Sequence, residues 1–250
     1  MRADTIVYDI AYGAIENPEA ALCSSDNARA VDNANSLGPY HASISTGSSA
    51  LRLNSPGWMN LTLDVAANLR THQALKDYCR WRVEKKAPLF ALPLQRFLVQ
   101  YLDFVERRVR ENAAVLPGGR TWDDAIFSVD DWFFSAFLPL PNAHLRLSEA
   151  ESAAAGGARF LRFDAVFWTG EALTAVTLDN HAMPTPRQRR AYAAFAQMRP
   201  DIRFMTVPVP DTGAEFSFES DRWPRGFATF WDGLQFPYGP LRPEAFGWRP

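Results

Sequence analysis

The sequence predicts a mixed α/β fold whose core has the order helix, strand, strand, strand, helix, strand. Two apolar runs of strand length, 159–168 and 172–179, flank a tight turn containing Gly170, which indicates a hairpin. Thr185 followed by Pro186 marks a helix start, and another apolar run, IRFMTVPV, follows that helix. Strand, helix and strand in this order form a βαβ unit, so we expect the last two strands to be parallel with a right-handed crossover.

Composition limits the possible classes of protein. The 250 residues are 47% hydrophobic and 22% charged, which is ordinary for a soluble protein with one large domain or one domain with extensions. A net charge of −2 provides no global basic field, so any nucleic-acid site must be a local patch. Cys23 and Cys79 are too few for a disulfide framework or a Cys-based zinc site. Without a signal-peptide pattern or a membrane-length apolar run, we expect a cytoplasmic protein with no membrane partner.

The chain before the predicted core divides into two regions. Residues 1–57 are rich in Ala, Ser, Asn and Gly, which predicts a partly irregular N-terminal arm, a hairpin or a partly disordered segment; an arm could wrap its own domain or a protein partner. Residues 58–120 predict a helical region packed on the core. Its first helix begins near Asp64 and ends before Pro88. The second, PLQRFLVQYLDFVERRVRENAAVL, should bury Phe97, Tyr101, Phe104, Val105 and Val109.

Residues 121–210 form the predicted αβββαβ core, with a mixed sheet. Thr121 and Asp124 are typical of a capping box at the start of a short helix ending near 137. A strand at 143–147 and the acidic loop SEAESAAAGG precede the hairpin. Residues 211–250 predict a C-terminal helix near 221–234, followed by a Pro-rich tail that lies extended and could contact a protein partner.

Two acidic residues, Asp164 and Asp179, occupy strand positions, where a carboxylate calls for a structural or functional explanation. With the order of elements, they make residues 121–210 resemble the PD-(D/E)XK nuclease superfamily, the restriction-endonuclease-like fold, although the motif match is partial. The resemblance covers roughly a third of the chain. It implies metal-dependent hydrolysis of phosphodiester bonds in nucleic acid, with DNA the expected partner and Mg²⁺ or Mn²⁺ the expected cofactor.

In this family an Asp lies on the second strand, another acid on the third, and a Lys two residues later. Asp164 matches the first position. On the third strand, either Asp179 is the acid with His181 in the Lys position, or Thr177 replaces the acid and Asp179 replaces the Lys, since AVTLDNH is similar to the family wording AVELDGxxH. Both registers are possible because residues two apart share a strand face. The resemblance therefore implies Asp164, Asp179 and His181 as catalytic residues, and Asp164 and Asp179 as metal ligands.

The chemistry explains these residue types. A hard cation held by carboxylates neutralises the phosphate and lowers the pKa of the attacking water. His181 could bind metal or orient water but is a weaker permanent cation than Lys. Thr177 cannot replace a carboxylate ligand, so the second register would weaken or abolish metal binding. The alternative hypothesis is therefore a catalytically degenerate protein of this fold that binds nucleic acid or protein within a larger assembly.

Other roles are open for several of these residues. Asp164 could pair with Arg162 or cap the sheet edge, and Asp179 could form a turn. His181 could be a surface loop residue. The arginines that begin the following helix could form a solvated face or contact phosphate: Arg187, Arg189 and Arg190.

Some family members carry one more acid on a preceding helix, where this chain has Glu106, Asp130 and Asp131.

Motifs of other site classes are missing from the sequence. It contains no Gly-rich phosphate loop, GxSxG, HExxH or CxxC.

Overall fold

The structure is a computed structural model. It describes residues 5–13, 15, 17–23, 40–53, 74, 77, 80, 91–112, 133, 136–179, 186–218 and 223. Ten helices and strands have defined bounds within these residues. In chain order they are β1 (Val7–Tyr12), α1 (Pro18–Cys23), β2 (Tyr40–Ser45), α2 (Leu92–Asn112), β3 (Leu140–Arg146), α3 (Glu149–Ala154), β4 (Phe160–Trp168), β5 (Leu173–Asp179), α4 (Pro186–Met198) and β6 (Ile202–Pro208).

The strands form one mixed sheet in the order β2-β1-β3-β4-β5-β6. Neighbouring strands are antiparallel except β5 and β6, which are parallel and are connected through α4. The predicted hairpin and βαβ unit are therefore confirmed, and the fold is a mixed α+β architecture. No helix among the described residues is long and apolar enough to cross a membrane.

Part of the predicted N-terminal arm belongs to the sheet. β1 pairs with β2 on one side and with β3 on the other, and Tyr8 and Ile10 are buried. Of the alternatives left open for residues 1–57, the antiparallel pairing of β1 with β2 agrees with the hairpin. Their apolar bursts are too short to bury a core alone, but Ile10 stands opposite Leu145 of β3 and shares its core.

The acidic segment after β3 was predicted as a loop and is the helix α3. Ser148 and Glu151 form a capping box at its start: the Glu151 N–H donates to Ser148 Oγ at 3.3 Å, and the Ser148 N–H donates to Glu151 Oε2 at 2.7 Å. These bonds satisfy two backbone donors that a short helix would otherwise leave unpaired. Glu151 also contacts residues distant in sequence, which a local pattern does not reveal.

α2 packs on the sheet through aromatic side chains. Phe97 and Tyr101 lie 6.5 and 5.5 Å from Phe167 of β4, measured between ring centroids. The segment after β6 covers the same helix, since the rings of Phe216 and Phe218 lie 5.4 and 5.3 Å from Phe97. The predicted buried side of this helix is confirmed at Phe97, Tyr101, Phe104 and Val105.

α4 packs on the other face of the sheet. Its Phe195 lies 5.8 Å from Phe204 of β6. Phe204 is in register with Ala175 of β5, and Ala175 with Val166 of β4, so these three share a face. Val166 and Phe167 are consecutive and therefore point to opposite faces. The sheet is thus enclosed between α2 and α4.

Other predicted elements lie largely outside the described residues. Of the helix predicted to begin near Asp64, residues 74, 77 and 80 are described, and they are helical. The short helix at 121–137, the C-terminal helix and the Pro-rich tail fall almost entirely outside.

Candidate functional site

The regular alternation of β4 breaks at Asp164. The ring of Phe163 lies 5.9 Å from that of Phe204, on the face that Val166 occupies. Residues three apart in a regular strand point to opposite faces. The alternation is therefore interrupted between Phe163 and Val166. On the neighbouring strand β3, Asn142 between the paired residues has a φ of +46°, which marks the same irregularity.

This break places a carboxylate between two strands. The regular pairing of β4 with β5 runs up to Ala165 opposite Val176. Beyond it, the Leu178 N–H donates to Oδ2 of Asp164 at 2.7 Å. The side chain thus takes the place that a strand carbonyl would have, and the bond holds the carboxylate against the peptide that joins Thr177 to Leu178.

The surroundings of Asp164 act on its charge in opposite directions. Burial raises its pKa, whereas the bond from the Leu178 N–H and the charge of Arg162 lower it, and the net shift is upward. Burial also raises the pKa of Tyr192 on α4, and the charge of Asp164 raises it further. The Tyr192 hydroxyl donates to the backbone carbonyl of Arg162. Asp164 is therefore a half-buried acid between a phenol and a guanidinium.

Asp179 lies one residue beyond that hydrogen bond. It is exposed at the end of β5, and its carbonyl accepts a bond of 3.0 Å from the Val209 N–H. The two predicted acids are therefore on neighbouring strands at the same place in the sheet. Thr177 is half-buried and His181 lies outside the described residues, so both registers of the third strand stay open.

The structure describes only some of the other residues that were considered for the site. Arg190 is exposed on α4, and the side chains of Arg187 and Arg189 lie outside the described part of the chain. Asp130 and Asp131 also lie outside it. Glu106 is engaged by two arginines, with nitrogen–oxygen distances of 2.9 Å to Arg80 and 2.6 Å to Arg110. Glu106 therefore serves an ion-pair network on α2.

The donor set suits a hard cation with few protein ligands. Oδ2 of Asp164 accepts the Leu178 bond, while Oδ1 accepts no bond from the residues that the structure describes. Mg²⁺ is commonly bound through one or two carboxylates and keeps several waters. No group of three or more His, Cys, Asp or Glu that could hold a metal occurs among the described residues. A metal here would therefore depend on Asp164 and Asp179, with water or substrate oxygen completing its shell.

Three neighbours of Asp164 were not assigned to the site from the sequence: Asn142, Arg162 and Tyr192. Asn142 accepts a 2.8 Å bond at Oδ1 from Arg162 Nε, and its amide donates to the Gly13 carbonyl at 2.8 Å. Asn142 is one of three polar residues in the segment LPNAHLRL, with His144 and Arg146, so the local pattern does not single it out. The contacts of Arg162 and Tyr192 depend on strand register and on the docking of α4.

Comparison with known proteins identifies no relative: no protein-family model, curated protein or solved structure matches the chain.

Proposed function

We propose that this protein hydrolyses phosphodiester bonds of nucleic acid, with DNA the expected substrate, in a reaction that depends on Mg²⁺ or Mn²⁺. The observation that carries the proposal is the hydrogen bond from Leu178 N–H to Asp164 Oδ2, because it puts this carboxylate of β4 on the backbone of the residue before Asp179, at the end of β5. The order of strands and helices, with a meander followed by a parallel strand, agrees with the resemblance to PD-(D/E)XK nucleases.

Each residue has a distinct role in this proposal. Asp164 and Asp179 hold the cation, which when bound would offset phosphate charge and lower the pKa of a water ligand. The Leu178 N–H fixes the rotation of the Asp164 carboxylate and leaves Oδ1 for the cation. Arg190, with Arg187 and Arg189 in the same helical turns, contacts the phosphate backbone. His181 orients the water in the register that makes Asp179 the second acid.

A second candidate is a catalytically degenerate protein of the same fold that binds nucleic acid or a protein partner within an assembly. Two observations favour it. Thr177 occupies the acid position in the other register, and the described residues offer no third carboxylate or imidazole for a metal. A protein of this kind keeps the surface that binds nucleic acid or a partner but does not hydrolyse phosphodiester bonds.

A plasmid-nicking assay with Mg²⁺ or Mn²⁺ tests the first proposal. Asp164→Asn and Asp179→Asn should each reduce nicking by about a hundredfold or more if each holds the cation, since loss of one charge-stabilising group costs roughly 10²–10³ in rate. Asp211→Asn is the matched control, because Asp211 is an exposed acid in the loop after β6.

Nicking that survives both site substitutions would remove the assignment to this site. No nicking by the parent, together with DNA or partner binding, would favour the degenerate candidate.

A further inference from the structure

Strand register aligns four residues in a row across half of the sheet. His41 stands opposite Ala11, Ala11 opposite His144, and His144 opposite Arg162. Directly opposed residues share a face. With neighbouring strands about 4.8 Å apart, the row measures about 14 Å from β2 to β4. It ends two residues before Asp164.

The positive charge of this face is concentrated at one end. At the β2 end, His41 Nε2 lies 3.7 Å from Asp9 Oδ1, so this end of the row lies beside a carboxylate. Burial and the charge of Arg162 lower the pKa of His144, which is therefore uncharged near neutral pH. Arg162 and Arg146 carry the charge on β3 and β4, because Arg146 is two residues after His144 and so on its face.

Neither arginine is neutralised by an acid in ion-pair contact among the described residues. Both are exposed, and toward the described residues Arg162 donates only from its Nε, to the neutral amide of Asn142. Its two terminal amino groups bond to no described residue, and they are the pair that can bind a phosphate with two parallel hydrogen bonds. Asp164 is close enough to influence Arg162 electrostatically without an ion pair.

We propose that Arg162 and Arg146 bind the phosphate backbone of DNA and guide it across β3 and β4 to the Asp164 carboxylate. This inference rests on the proposed function and extends it to the substrate's path, which the helix arginines alone would not define. An arginine beside the acid would position the phosphate, while the acid and its cation act on it.

DNA binding without hydrolysis is the direct test. Fluorescence anisotropy of a labelled 30-base-pair duplex is measured in EDTA at several salt concentrations, for the parent, Arg162→Gln and Arg146→Gln. Each substitution should weaken binding about five- to tenfold near 0.1 M salt and reduce the slope of log K against log salt by about 0.9, the value for one lost phosphate contact. Circular dichroism confirms that each variant is folded.

Arg203→Gln is the matched control. Arg203 is also an exposed strand arginine without an ion pair to a described acid, but it lies on β6, two strands from β4. It should retain the parent's affinity and slope. Equal affinity of Arg162→Gln and the parent, an equal loss in Arg203→Gln, or no DNA binding by the parent would overturn the inference.

The two proposals fail separately. If Arg162→Gln weakens binding but no variant or parent cleaves DNA with metal, the binding path stands and hydrolysis fails. If the parent cleaves DNA and Arg162→Gln leaves binding unchanged, hydrolysis stands and the path fails.

Discussion

The Tyr8 hydroxyl donates a hydrogen bond of 2.5 Å to Asp201 Oδ2, although three strands lie between β1 and β6 in the sheet. In a flat sheet these strands would be about 19 Å apart, at about 4.8 Å for each step. The sheet must therefore curl so that β1 approaches the start of β6. Arg199 completes the contact: its guanidinium lies 4.8 Å from the Tyr8 ring and bonds to Asp201 at 2.8 Å and to Glu151 at 2.9 Å.

Removing the cation from this cluster should destabilise the fold strongly. Arg199→Met keeps much of the side-chain volume but leaves the mostly buried Glu151 and Asp201 without their partner. We expect the free energy of unfolding to fall by about 3 kcal/mol, the range for breaking one side of a buried ion pair. Urea denaturation measures it.

Tyr8→Phe isolates the hydroxyl contribution and should cost about 1–2 kcal/mol, since one hydrogen bond to a charged group is lost. The double variant, with both Arg199→Met and Tyr8→Phe, should lose less free energy of unfolding than the sum of the two single losses, because both residues bind Asp201. Strict additivity would contradict a shared cluster.

Acid should weaken this cluster. Burial alone would raise the pKa of Glu151, but the Ser148 N–H and the Arg199 guanidinium outweigh it and hold that pKa below its usual value. Arg199 and the Tyr8 hydroxyl likewise lower the pKa of Asp201 against the effect of burial. A carboxylate with a depressed folded pKa contributes stability above its unfolded pKa, near 4. That stability is lost as pH falls through the folded value.

The parent's free energy of unfolding should therefore drop as pH falls below about 4.5, since the unfolded carboxylates have pKa values near 3.9 and 4.3. Glu151→Gln should show a shallower drop. Glu149→Gln is its control, because Glu149 is exposed in the first turn of the same helix. The same acid slope in all three proteins would contradict the prediction.

Ionisation of Asp164 should destabilise the fold, whereas ionisation of Glu151 and Asp201 stabilises it. Its folded pKa is raised, mainly by burial, so its ionised form opposes folding at pH values above that pKa, and the penalty is absent below the unfolded pKa. Asp164→Asn keeps an oxygen that can accept the Leu178 N–H bond and removes the charge. This variant should be more stable than the parent at pH 7, with the difference disappearing near pH 3.

Thermal unfolding at both pH values measures this effect, with Asp211→Asn as the exposed control. A gain in stability with a loss of nicking would identify Asp164 as a residue kept for function at a cost to the fold. A variant less stable than the control at pH 7 would contradict the expectation.

Gly170 in the β4–β5 turn should not tolerate a side chain. Its φ is +90°, and an added Cβ would lie 3.2 Å from the backbone nitrogen of Ala50, in the segment that bonds to Trp168. Gly213 has a φ of +95° but open space around it. Gly213→Ala should therefore cost about 1 kcal/mol for backbone conformation alone.

Gly170→Ala should cost more, about 2 kcal/mol or above, because steric conflict adds to the conformational cost. Chemical denaturation compares the two. Equal losses would mean that the 46–50 segment moves aside without cost.

Local pattern was sufficient for much of the fold. Helix α2, the hairpin of β4 and β5, and the βαβ unit through α4 follow from apolar periodicity, a Pro-started helix and one turn. α3 was missed because its capping box lies in an Ala-rich acidic segment that also resembles a loop. The place of β1 and β2 in the sheet was missed because the partner of β1 on its inner side, β3, begins more than a hundred residues later.

The sequence by itself determined which residues could carry charge into this sheet, since Asp164 and Asp179 are acids at strand positions. Only the tertiary structure decided how they relate. The break in β4 turns the Asp164 carboxylate onto the Leu178 N–H, and the curl of the sheet joins Tyr8 to a residue 193 positions away. Periodicity encodes which face a residue occupies, but it does not encode where a strand departs from its period or how far a sheet curls.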